Sequence, residues 1–171
     1  MNHLPKDAKG MIRVGGPVSR TTASLRIGGD DLDPDEITAL LSCEPMKSHR
    51  KGDIEVGSST GKKYIKKSGL WSLAAIETGQ EDLDKKIVDL LDQVTDDIQV
   101  WRAINSRFSA DVFCGLFMDR SNEGLGITPS TMARLAERGI ELELDIYGPE
   151  FDDDLEGHFE GAKLKRDEPM N

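Results

Sequence analysis

Leu32-Asp33-Pro34-Asp35-Glu36-Ile37 is answered 95 residues later by Ile127-Thr128-Pro129-Ser130-Thr131-Met132, each copy lying between strand-like runs. Both copies set an apolar residue before an oxygen-bearing one (Asp33, Thr128), then proline, then an apolar residue three positions on. Such an Asp or Thr accepts from a first-turn amide, and proline is preset for the first helical position. The flanking apolar pair closes over the turn as a hydrophobic staple. Each hexapeptide therefore predicts a helix start, and the chain reads as strands alternating with helices.

Outward from the first copy, Ala23, Leu25 and Ile27 alternate with Thr22, Ser24 and Arg26, which predicts a half-buried strand stopping at Gly28-Gly29. The first helix is expected from Pro34 to about Ser42. Pro45 to Lys51 and Leu70 to Ile76 read as two strands, and the 18 residues between them, rich in Gly, Ser and Lys, as a long mobile hairpin connection. Leu83, Ile87, Leu90, Leu91 and Val94 have the spacing of an amphipathic helix, with a shorter one over Ile98 to Ile104. Val112 to Met118 is almost continuously apolar, as for a strand covered on both faces or lying centrally in a sheet. Outward from the second copy, a helix is expected from Pro129 through Met132, Leu135 and Ala136 to a left-handed cap at Gly139. A last strand follows, with Leu142, Leu144 and Ile146 on a greasy face and Glu141, Glu143 and Asp145 on an acidic one.

The order βαββαβαβ favours an α+β two-layer sandwich of ferredoxin-like or duplicated split-βαβ type, an open, mostly antiparallel sheet with helices on one face. Residues 1–20 and the acidic stretch 149–171 lack sustained periodicity and are expected as flexible tails around a single domain, 21–148.

At 171 residues and 37% hydrophobic, the chain can bury one sizeable core. Thirty-two acids against 22 Lys and Arg give a net charge of -10, which repels nucleic-acid phosphates and anionic membranes. No run approaches the roughly 20 apolar residues of a membrane span, and the N-terminus lacks a secretion signal's apolar core, so a cytoplasmic location is expected. Cys43 and Cys114 are expected as reduced, buried thiols.

Several strings together resemble one known family: Leu25-Arg26-Ile27-Gly28 leading to Asp33-Pro34-Asp35-Glu36-Ile37-Thr38, then Ser48-His49-Arg50-Lys51-Gly52, Gly69-Leu70-Trp71-Ser72-Leu73 and Gly139-Ile140-Glu141-Leu142. They are similar, from Ala23 to Gly148, to the bacterial family catalogued as domain of unknown function 4279. The resemblance implies a compact α/β bacterial domain, some relatives of which serve as partner-binding or immunity-type proteins; it brings no settled activity.

Candidate chemistry is thin. His49 is the one histidine outside the expected tails, and Ser48 beside it on a strand points to the opposite face, so a solvated or structural histidine is favoured over a catalytic one. Asp119-Arg120-Ser121-Asn122-Glu123-Gly124 opens like a calcium loop, but Gly126 and Ser130 stand where an apolar residue and a bidentate Glu are needed. Asp30, Asp31 and Asp33 are explained by a cap and a helix dipole. Two cysteines 71 positions apart match no compact zinc spacing. Gly57-Ser58-Ser59-Thr60-Gly61-Lys62-Lys63 is one residue short of a phosphate loop and reads instead as hairpin. Trp71 and Trp101 lie in apolar patterns and are expected in the core. No catalytic residue, metal or cofactor is assigned. The expected function is a non-catalytic protein-binding module, with a homodimer as a further form. Its partner or anion contacts would be Lys47, His49, Arg50, Lys51, Lys62, Lys63, Lys66 and Lys67, beside the acidic sheet face of Glu141, Glu143 and Asp145. A small-ligand sensor and an unidentified enzyme are the alternatives.

Overall fold

The alternation through Leu25 builds the central strand, and everything else is placed by what pairs with it or packs on it. In the computed structural model, which describes residues 16–59, 61–76 and 82–149, the elements run β1 (Gly16–Pro17), β2 (Arg20–Gly29), α1 (Pro34–Leu41), β3 (Lys47–His49), β4 (Ile54–Val56), β5 (Lys63–Ile65), β6 (Gly69–Ala74), α2 (Leu83–Leu91), α3 (Ile98–Asn105), β7 (Ser109–Phe117), β8 (Glu123–Gly124), α4 (Pro129–Arg138) and β9 (Glu141–Tyr147). The fold is α+β with an open five-stranded sheet in the order β3-β6-β2-β7-β9. Three neighbouring pairs are antiparallel; β7 and β9 are parallel. Two small ribbons, β1-β8 and β4-β5, stand apart from it.

Thr21, Ala23, Leu25 and Ile27 of β2 are buried, while Thr22, Ser24 and Arg26 are half-buried. The buried side receives all four helices. α1 packs on β6, α2 on β2, α3 on β7 and α4 on β9, and the helices touch one another in a single layer. Trp71 and Trp101, both fully buried, anchor this layer through their indole N–H groups, which donate to Thr38 Oγ1 at 3.1 Å and to the Thr95 carbonyl at 2.9 Å.

Both proline helices start as their hexapeptides predict. Asp33 accepts from the Asp35 amide at 3.0 Å and Thr128 from the Thr131 amide at 3.2 Å. The staple closes only in the first copy, where Leu32 and Ile37 are buried. In the second, Thr131 is buried and Met132 exposed, because the Thr131 hydroxyl bonds that of Thr128 at 3.0 Å and the inward face becomes Thr131, Leu135 and Arg138. Gly139 caps α4 in the left-handed region at φ 64°, as expected.

Two further expectations are corrected, the extent of the N-terminal tail and the cover of β9. Residues 16–20, assigned to the N-terminal tail, are built into the fold: β1 pairs with β8, Val18 is buried, Ser19 donates to Glu123 from its amide and hydroxyl, and Arg20 opens β2. The hairpin expected after β3 is present as an antiparallel ribbon, β4-β5, closed at its tip by Gly57 N–H to Lys62 C=O and tied at its base by Gly52 N–H to Lys66 C=O. β7 lies inside the sheet between β2 and β9, one of its two expected placements; the described helices pack on one face, and on the other Phe113 and Phe117 lie under the guanidinium groups of Arg26 and Arg20. The greasy face of β9 is aligned with Val112, Cys114 and Leu116, yet Leu144 and Ile146 are exposed, since α4 leans inward on α2 and α3 and covers only Leu142. The rest of the expected tails, residues 1–15 and 150–171, lies outside the described residues. Among the described residues, no helix is long and apolar enough to cross a membrane.

Both cysteines are free. Burial pushes the Cys114 thiol up to about 12, with Asp111 adding to the shift, and raises that of Cys43, with Glu44 adding to it. A thiol reagent at neutral pH is expected to label the half-buried Cys43 slowly and Cys114 only on unfolding. Equal labelling of both in the native protein, read by intact mass, would contradict this packing.

Candidate functional site

The side of the sheet on which none of the described helices packs is the surface where charged and aromatic groups converge. Cross-strand registry places Arg20 of β2 beside Phe117 of β7 and Tyr147 of β9. The Arg20 guanidinium lies 3.4 Å from the Phe117 ring centre, and Phe117 stacks on Tyr147 at 4.7 Å with ring planes 6° apart. The stack runs across three strands and ends on the half-exposed Tyr147, whose hydroxyl donates to Asp145 at 2.6 Å and whose pKa this carboxylate raises.

A second row crosses at Arg26. Its Nε donates to Asp111 at 2.7 Å and its Nη2 to Glu143 at 2.7 Å, with the guanidinium 4.3 Å from the Phe113 ring centre. Burial alone would lower the Arg26 pKa, but the carboxylates of Asp111 and Glu143 outweigh it and raise it. Glu143 is thus relieved by a cation two strands away, while Glu141 and Asp145 extend the acidic border along β9.

The expected basic residues fall elsewhere. Lys47 and His49 project on the same sheet side from the opposite edge strand, β3, in line with Ser72 and Leu70. Lys47 and Lys66 both pair with Glu55 of the ribbon, Arg50 with Asp33 and Asp35, and Lys51 with Asp30. The basic stripe therefore spends most of its charge tying the β3 turn and ribbon to the start of α1. Lys63 and Lys67 form no ion pair among the described residues, and the ribbon carries Ile54, Val56 and Ile65 exposed on one side.

His49, Lys47, Asp53, Glu55 and Lys66 line a cleft of about 250 Å³. Partial burial, then the Lys66 and Lys47 charges, hold the imidazole pKa below its ordinary 6.5. Ser48 faces the helices, paired with Trp71, and is turned away from His49. Because the folded state resists protonating His49, its contribution to stability is complete above the unfolded pKa and falls as pH drops below 6.5. An NMR titration should place the His49 midpoint below 6.5, and Lys66→Gln should move it upward. A midpoint at or above 6.5 in the unaltered protein would contradict the arrangement.

Arg20, Arg26, Asp111, Phe113, Phe117 and Tyr147 are the residues that sequence reading missed. A signal was present: Arg20 and Arg26 share one face of an alternating strand. Their partners become visible only once β2, β7 and β9 are in register.

The region carrying this face, residues 19–149, matches the family model described as a domain of unknown function, DUF4279. The chain belongs to the DUF4279 family. No curated protein and no solved structure matches it. The matched span of this DUF4279 domain begins one residue before Arg20 and ends two after Tyr147, so it includes both ends of the aromatic stack.

Proposed function

We propose that this DUF4279 domain is a non-catalytic, cytoplasmic protein-binding module of a bacterium, of immunity or regulatory type, whose partner meets the open sheet face bordered by Glu141, Glu143 and Asp145. The supporting observation is the face itself. Four helices occupy one side of the sheet, and on the other Arg26 and the Arg20-Phe117-Tyr147 stack form a fixed platform whose side chains are already held. Preorganised groups of this kind lose little freedom on binding. We read β2, β3, β6 and β7 as a ferredoxin-like unit of two split βαβ crossovers: β2 and β3 run parallel with β6 between them, and β6 and β7 run parallel with β2 between them. β9 is then an added edge. Lys63 and Lys67 on the ribbon are a second, smaller contact.

Affinity purification of the tagged full chain from its host, at low and moderate salt, tests this reading. It is expected to recover one salt-sensitive protein partner that the double variant Glu143→Lys, Asp145→Lys fails to hold. Capture unchanged by that variant would overturn the face as the contact. A second reading, a small-ligand sensor, draws on the cleft of about 820 Å³ between Arg20, Phe117, Asp119 and Tyr147. A reproducible thermal shift with one metabolite and no protein capture would favour it.

A further inference from the structure

The border strand β9 offers more than charge. The Met118 amide donates to the Tyr147 carbonyl, so Tyr147 turns its peptide groups toward β7, and by strand alternation Asp145, Glu143 and Glu141 do the same. Leu142, Leu144 and Ile146 accordingly direct their N–H and C=O groups outward, where no described strand lies. Registry with β7 is unbroken from Glu141 to Tyr147, with no proline or lysine and no bulge to blunt the edge. An edge in unbroken register, with no described strand beside it, is a template for another strand.

Resting on the partner-binding reading, we propose that β9 takes up, as a sixth strand, an extended segment of a partner protein that carries Arg or Lys at alternate positions and apolar residues between them. The cations would face Glu141, Glu143 and Asp145, and an Arg beside the outer face of Tyr147 would extend the Arg20-Phe117-Tyr147 stack. The intervening apolar residues would cover Leu144 and Ile146, now exposed on the helix side. Charge argues against a second copy as the occupant: two copies of β9 paired edge to edge would crowd two sets of Glu141, Glu143 and Asp145 on one face, which like-charge repulsion opposes. The stretch directly after β9 carries Glu150, Asp152, Asp153 and Asp154, the wrong sign for the same face, and Lys163, Lys165 and Arg166 follow it with the right one; their docking on β9 would block the peptide and protect Leu144 and Ile146 in the free chain, and would overturn a partner strand.

The test uses the full chain and a labelled peptide of about nine residues, long enough to span β9, with Arg at odd and Val or Thr at even positions. A matched peptide carries Glu in place of Arg. Fluorescence anisotropy should show salt-sensitive binding of the Arg peptide only. Leu144→Pro removes one outward N–H while sparing the β7 ladder, as an edge strand tolerates; it should weaken binding at least about tenfold, as should Glu143→Lys with Asp145→Lys. Thermal melting confirms that the variants fold. Equal binding by Leu144→Pro, or no binding of the Arg peptide, overturns strand addition. So does self-association of the unaltered chain that Leu144→Pro abolishes. If the peptide fails while capture of a protein partner still depends on Glu143 and Asp145, the binding module stands and strand addition falls; if capture is also indifferent to them, both fall.

Discussion

Trp71→Ala is expected to destabilise the domain by about 3–5 kcal/mol, a large share of the stability of a single domain. Trp71 is fully buried at the place where β2, β3 and β6 meet the helical layer, paired with Ile27 on one side and Ser48 on the other. Its indole N–H is also a tie to α1 through Thr38 Oγ1. Truncation leaves a cavity that strands paired on both sides cannot close, and it orphans the threonine hydroxyl. Trp71→Phe keeps most of the volume and loses the hydrogen bond, so it should cost about 1–2 kcal/mol. Denaturant unfolding with unchanged slope separates the two. A loss below about 1 kcal/mol for Trp71→Ala would show that the indole is not where the core is densest.

Gly69→Ala is the second large effect, at about 2–3 kcal/mol. A Cβ on Gly69 would stand 2.9 Å from the carbonyl oxygens of Gly29 and Leu32 and from Leu32 Cβ. Two of these contacts are backbone, so neither can swing aside. Gly69 faces Gly29 at the last rung of the β2-β6 ladder, and Gly29 C=O accepts from the Leu32 amide in the turn that delivers Asp33 to the start of α1. Spreading this rung pulls the buried Leu32 and the cap away together. Gly124→Ala, where an added Cβ meets nothing within 4 Å, is the control and should be close to neutral. Equal midpoints for the two variants would contradict the close approach.

The sequence was most readable where local chemistry decides structure. The Asp33-Pro34 and Thr128-Pro129 starts, the Gly139 cap and the alternation of β2 depend on neighbours within a few residues, and each appears where it was expected. The staple at Met132 failed because a threonine pair turned the helix, a choice between two inward faces that apolar spacing alone does not make. The exposure of Leu144 and Ile146 was illegible for another reason. Alternation states that one face of β9 is apolar; where α4 packs, on α2 and α3 as well as on β9, determines that Leu142 is covered and Leu144 and Ile146 are not.

For the candidate site, the acidic row Glu141, Glu143 and Asp145 was visible. The cation that meets it was not, since Arg26 reaches Glu143 across an intervening strand. The basic segment misled in the opposite direction. Lys47, Arg50, Lys51 and Lys66 look like one cationic stripe in sequence, but folding brings Asp30, Asp33, Asp35 and Glu55 onto them. Composition counts charges; pairing determines which remain to meet a partner.

In the proposed complex a partner strand closes a β9 border that is open in the isolated chain. Amide hydrogen exchange at Leu144 and Ile146 measures this most directly, because their outward N–H groups have no acceptor among the described strands while those of Glu143 and Asp145 lie in the ladder with β7. Fast exchange is expected at Leu144 and Ile146 and slow exchange at Glu143 and Asp145 in the free protein, with all four slow when the partner is bound. Protection of Leu144 and Ile146 already present in the free chain, or fast exchange that the partner leaves untouched, would contradict this closure.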